Sequence, residues 1–258
     1  MNMKKYKLTL TVLSLLMVVL LIACIALTVL LIVQGPDHSI LAAEKNEAEY
    51  PTYELEATYD YGEGYLKSII FICDKTLVPI SDHEESISPE QIWTGIDGTL
   101  TLDRTLANAS VITEGKPNGV SIPTAIENAA PQYVIITLGI ENGVSHCTKE
   151  QFKEYYSNLI NKIKSTSPDT RIILQSIFPV SSNAEKQDPS ISNDRIDTAN
   201  GYISSLAEEL SVRYLNTSSV LKGEDGKLDP KYDSGNGIIL NQDGMHAVAQ
   251  YIRTHGYK

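Results

Sequence analysis

Cysteine is scarce in this chain of 258 residues, with only Cys24, Cys73 and Cys147. Three thiols cannot staple a domain of this size, so a folded body must be held by an apolar core. Internal repeats and low-complexity tracts are absent, which argues against a solenoid. Positive charge is short: beyond Gly35 there are 18 Lys and Arg against 32 Asp and Glu, a net charge of −14. Such a surface argues against nucleic acid or an anionic lipid as partner.

Charge of either sign is missing from Leu8 to Val33, where almost every residue is apolar. That run is long enough to cross a hydrocarbon core of about 30 Å as a helix. Lys4, Lys5 and Lys7 precede it, which by the positive-inside rule keeps the short tail cytoplasmic and the bulk of the chain outside. A cleaved signal peptide has a shorter apolar core, of about 7–15 residues. Leu21-Ile22-Ala23-Cys24 also has the form of a bacterial lipobox, which would put a lipid on Cys24. The expected division is a cytoplasmic tail at 1–7, a transmembrane anchor at 8–34, a linker at 35–61 and a folded domain at 62–258.

Within that domain, Leu66–Cys73, Tyr133–Leu138 and Arg171–Phe178 are mostly aliphatic and β-branched, the composition of strands buried on both faces of a parallel sheet. Phe152, Tyr156, Leu159, Ile160 and Ile163 share a helical face, as do Ile196, Ala199, Ile203, Leu206 and Leu210. The alternation predicts a doubly wound α/β domain whose ligands bind at the carboxyl ends of the strands. Alternation in Thr99-Leu100-Thr101-Leu102 predicts an added hairpin between Trp93 and Thr113.

The hexapeptide Phe71-Ile72-Cys73-Asp74-Lys75-Thr76 follows the apolar pair Ile69-Ile70 at the end of the first strand. With Ile92-Trp93-Thr94, Gly98–Asp103, Tyr133–Gly139, Ile173–Val180 and Tyr251–His255, it resembles the sequence blocks of the SGNH (GDSL-type) hydrolases. The likeness is strongest to membrane-anchored clostridial members. It implies a flavodoxin-like three-layer α/β/α domain with a parallel sheet. It also implies a Gly-Asp-Ser nucleophile, an Asp-x-x-His supplying acid and base, and an oxyanion site built from backbone N–H groups, a glycine and an asparagine. No metal or organic cofactor is implied.

Carried onto this chain, the nucleophile position is Lys75 rather than serine. Gly98 and Asn142 take the oxyanion positions and Asp74 lines the site, with Glu141 beside Asn142. Two registers compete for the acid and base. Asp243-Gly244-Met245-His246 fits the Asp-x-x-His pattern. Yet Met245, Val248, Ile252 and His255 are spaced as one buried helical face, which leaves His246 on the polar face and makes Asp243 a first-turn or capping residue. The register that needs no gap puts Asn236 at the acid position and Ile239 at the base position. Three losses together predict a binding or scaffolding domain for cell-envelope glycan or acylated carbohydrate. The competing readings are an esterase or deacetylase working through Asp243 and His246, and a domain that regulates a protein partner. Cys73 and Cys147 are expected near the site, as buried thiols, as a disulfide, or with His146 and Asp74 as a metal site.

Overall fold

Five short strands pair in parallel because their residues are apolar on both sides. They are β1 (Ile69–Cys73), β2 (Ile92–Trp93), β5 (Tyr133–Thr137), β6 (Arg171–Gln175) and β7 (Arg213–Leu215), in the order β2-β1-β5-β6-β7. A separate antiparallel hairpin joins β3 (Ser110–Thr113) to β4 (Lys116–Ser121). The computed structural model describes residues 53–257. The segment read as a membrane anchor, and most of the linker, lie outside the described residues. Among the described residues no helix is long and apolar enough to cross a membrane.

Alternate strand residues face opposite layers, as the two-residue period of a strand requires. Ile72, Val134, Ile136, Ile172 and Leu174 pack under three helices: α1 (Ile122–Ala129), α2 (Lys149–Thr166) and α3 (Asn193–Glu209). Ile69, Phe71, Cys73, Ile135 and Ile173 pack against α4 (Gln242–Thr254) through Met245, Val248, Ala249 and Ile252. The result is an α/β/α sandwich. Local chemistry sets the helix starts. Thr148 and Gln151 form a reciprocal capping box at α2, and Asn241 caps α4 by accepting the Gly244 N–H at 3.0 Å.

Four expectations need correction. The first strand begins at Ile69, because residues 63–67 form a helical turn that buries Tyr65 and Leu66. Thr99–Leu102 is a loop, and the hairpin lies further on, at 110–121. The alternation was genuine, since Leu100 and Leu102 are 3% and 0% exposed, but they are inserted into the core from a loop. Residues 53–61 belong to the domain, not to a linker. Glu54 pairs in parallel with Tyr214 at the sheet edge, Leu55 is buried, and Asp60 is ion-paired to Arg253. Finally, Cys73 and Cys147 are separate free thiols not joined by a disulfide, and among the described residues no group of His, Cys, Asp and Glu is placed to hold a metal ion. Cys73 points into the α4 layer, whereas Cys147 packs against the opposite layer, and the sheet stands between them.

Candidate functional site

The chain runs from β1 outward to β2 and then returns to the other side of β1 as β5. The carboxyl ends of β1 and β5 therefore flank a topological switch point, where an open α/β sheet offers its crevice. Two loops meet there, Asp74–Thr76 after β1 and Leu138–Asn142 after β5.

Asp74, 2% exposed, joins them. Its Oδ1 accepts the Thr76 N–H (3.1 Å) and hydroxyl (2.6 Å), and its Oδ2 accepts the N–H groups of Gly139 (3.1 Å) and Ile140 (3.3 Å). Four donors converging on one side chain require an acceptor-only group, which an ionised carboxylate is and an amide is not. Burial nevertheless pushes the acid up to about 6, against the pull of the Thr76 and Ile140 donors and with help from the nearby Glu141 charge. Gly139 has φ +139°, and a Cβ there would lie 2.4 Å from Ile177 Cδ1. Only glycine lets that backbone come this close to its neighbour. Asp74 was expected to contact ligand; it is instead a buried clasp between loops, with the Thr76 hydroxyl spent on it.

Lys75 sits on the solvent side of the clasp. Its side chain is 50% exposed and its Nζ is ion-paired to Glu141 Oε1 across the ends of β1 and β5. The Lys75 N–H donates to Thr99 Oγ1 at 3.2 Å. The other two groups expected to donate to an oxyanion are also engaged. Gly98 N–H closes a turn onto the Gly95 carbonyl at 2.9 Å. Asn142 Nδ2 donates to the Leu102 carbonyl at 2.8 Å and approaches Cys147 Sγ at 3.8 Å. Asn142 also has φ +69°, a backbone region that asparagine tolerates better than most residues. The oxyanion roles expected of Gly98 and Asn142 therefore do not match this geometry, because their donors serve the loops themselves.

The C-terminal loop lies at the same end of the sheet, where Ser181 N–H, beyond β6, donates to the Gly237 carbonyl at 2.8 Å. Asn236 is exposed, and its Oδ1 accepts the N–H groups of Ile238 (2.9 Å) and Ile239 (2.8 Å). Ile239 is half-buried. Asp243 lies in the first turn of α4, where a carboxylate suits the positive end of the helix dipole. His246 is on the exposed face of α4, and its Nδ1 is 2.6 Å from Glu84 Oε1. The structure thus brings Asp74, Lys75, Glu141 and Asn142 together, while His246 is paired with Glu84.

Sequence reasoning missed a buried polar belt along these strand ends. Thr137 Oγ1 donates to Gln175 Oε1 (2.6 Å), Gln175 Nε2 donates to Thr217 Oγ1 (3.0 Å), and the Ser176 hydroxyl accepts the Ser218 N–H (2.8 Å). The signal was a polar residue closing each apolar run. Thr99 was missed too, as the partner of the Lys75 backbone.

The sequence profile of the GDSL-like lipase/acylhydrolase family matches residues 89–247, more than half of the chain. The chain belongs to that family. The match begins beyond the loop that carries Lys75 and runs through both candidate acid–base registers. Among solved structures, a Bacteroides fragilis protein described as an acylhydrolase is similar at 14% identity and a TM-score of 0.52. That likeness covers 78% of this chain and 89% of the other. A GDSL-like lipase from Bacteroides thetaiotaomicron is similar at 13% identity and a TM-score of 0.50, covering 72% and 86%. At such identities these neighbours share the fold. A search of curated protein sequences returned no match.

Proposed function

We propose that this family member is a membrane-tethered, extracytoplasmic domain that binds cell-envelope glycan or acylated carbohydrate without hydrolysing it. One observation carries the reading: each group in the roles of nucleophile and oxyanion donor is bonded internally. Lys75 is paired with Glu141, its N–H with Thr99, Gly98 with Gly95 and Asn142 with Leu102. A serine hydrolase needs a nucleophile with an adjacent base, and donors aimed at the developing oxyanion. A lysine whose Nζ is held by a carboxylate is poorly placed to attack, and Asn236 and Ile239 can supply neither a charged acid nor a base. The uncharged run from Leu8 to Val33, behind Lys4, Lys5 and Lys7, supports the tether and the outward orientation.

The family match extends through Asp243 and His246, which favours a second reading as an active esterase. Hydrolysis of a small aryl acetate by the full-length chain separates the two. The expected outcome is a rate indistinguishable from those of Lys75→Ala and His246→Ala. Turnover well above background that either substitution abolishes would overturn the non-catalytic reading.

A further inference from the structure

Next to Lys75 the surface opens into a cleft of about 460 Å³, walled by Ile96, Asp97, Thr99, Thr101, Asp103 and Thr105 among others. Its size falls in the range of small-molecule sites. The polar row comes from the alternation noted above. Leu100 and Leu102 turn into the core, so Thr99, Thr101 and Asp103 turn outward.

The wall is held in place. Gly95 N–H donates to the Thr99 carbonyl at 3.0 Å, and a Cβ on Gly95 would lie 2.1 Å from that oxygen, so only glycine closes the turn that presents Asp97. Thr99 Oγ1 accepts the Lys75 N–H, and Leu102 N–H donates to the Glu141 carbonyl at 3.3 Å. The cleft is thereby stitched to both loops of the candidate site.

Its chemistry is one-sided. Asp103 Oδ1 accepts the N–H (2.7 Å) and hydroxyl (2.6 Å) of Thr105. Among the described residues, Asp103 Oδ2 and both Asp97 oxygens have no hydrogen-bond partner, and no Lys or Arg lines the cleft. On its lip Ile96 is 61% exposed, the most exposed large aliphatic side chain among the described residues. A complementary occupant would bring hydrogen-bond donors and positive charge to the carboxylates, hydroxyls to the threonines, and an apolar face to Ile96. A phosphate- or carboxylate-bearing ligand would be repelled.

We propose that this cleft binds a glycan carrying free amines, an oligosaccharide of hexosamine whose amino groups are not acetylated. The sugar ring offers its C–H face to Ile96, and its ammonium and hydroxyl groups satisfy Asp97, Asp103 and the threonine row. This deepens the carbohydrate-binding reading above and rests on it.

The test is calorimetric titration of the full-length chain with a glucosamine tetrasaccharide and with its fully N-acetylated counterpart, at a pH where the free amines are charged. The glucosamine oligomer is expected to bind at least about tenfold more tightly. Asp97→Asn and Asp103→Asn are each expected to weaken it by about tenfold, the scale of one charge-assisted hydrogen bond. Asp103→Asn retains an acceptor for Thr105, and circular dichroism reports whether each variant is folded. Equal affinity for the two sugars, no binding of either, or folded variants that bind as the parent does would overturn the proposal. None of these outcomes touches the aryl acetate assay, so a failure here leaves the non-catalytic reading to stand or fall separately.

Discussion

Asp74 is 2% exposed and accepts four hydrogen bonds, whereas the side chain of Lys75, the next residue, is half exposed and has, among the described residues, a single partner, Glu141. The contrast separates two kinds of residue within one motif. Asp74 holds the β1 and β5 loops together. Lys75 lies on the solvent side of that clasp, and its side chain pairs with a neighbouring carboxylate. One turn thus sets a residue fixed by buried hydrogen bonds beside one engaged in a surface ion pair.

Stability measurements can break or sharpen that comparison. Asp74→Ala should have the largest effect, because it orphans up to four donors in a site closed to water. The expected loss is about 4 kcal/mol in urea unfolding at neutral pH, with each unpaired buried group costing about 1–3 kcal/mol. A loss below about 1 kcal/mol would mean that the clasp is dispensable.

Next comes a pH dependence. The folded-state pKa of Asp74 is raised from 3.8 to about 6, mainly by burial, so the native state binds the proton more tightly than the unfolded chain. Stability from this group is therefore fully present below about pH 4 and is lost as pH rises through about 6. The change is on the order of 2–3 kcal/mol. Asp60 works in the opposite direction: its hydrogen bond to Arg253 lowers it to about 2, so its contribution fades as pH falls below about 4. The measurable window is thus pH 4–7. There the unfolding midpoint should rise on acidification in the parent chain and stay flatter in Asp74→Ala. Parallel profiles would place the titration elsewhere.

The smallest effect is expected from Lys75→Ala. A half-exposed ion pair is worth roughly 0–1 kcal/mol, so the same unfolding assay should move by less than about 1 kcal/mol. A larger loss would make the Lys75–Glu141 pair part of the architecture and erase the contrast with Asp74.

Much of the fold was legible along the chain. The faces of α2 and α3 contain the residues their spacing assigned except Leu210, and Met245, Val248 and Ile252 are buried on α4 while His246 is exposed; Leu210 and His255 lie just past the helix ends and are half-buried. These positions report burial, which a helical or strand period records directly. What failed was confined to places where burial and secondary structure part company. Leu100 and Leu102 alternate like a strand but are buried from a loop, and residues 53–61 carry no clear period although they dock on β7 and α4.

The candidate site divides in the same way. The address, at the ends of β1 and β5, followed from apolar runs ending in Asp74 and Gly139. The partners did not. Asp74 meets Gly139 across 65 residues, and Asn142 meets Leu102 across 40. No local pattern specifies which of several nearby donors an acceptor will take.

By itself, then, the sequence determined the parallel α/β sandwich and the acidic character of the chain beyond Gly35. These depend on residue type and period alone. Only the tertiary structure decided that Glu141 neutralises Lys75, that Gly98 and Asn142 spend their donors within the loops, and that Cys73 and Cys147 face opposite layers. Each depends on where loops distant in sequence come to rest, and the packing of the sheet against its helices determines that.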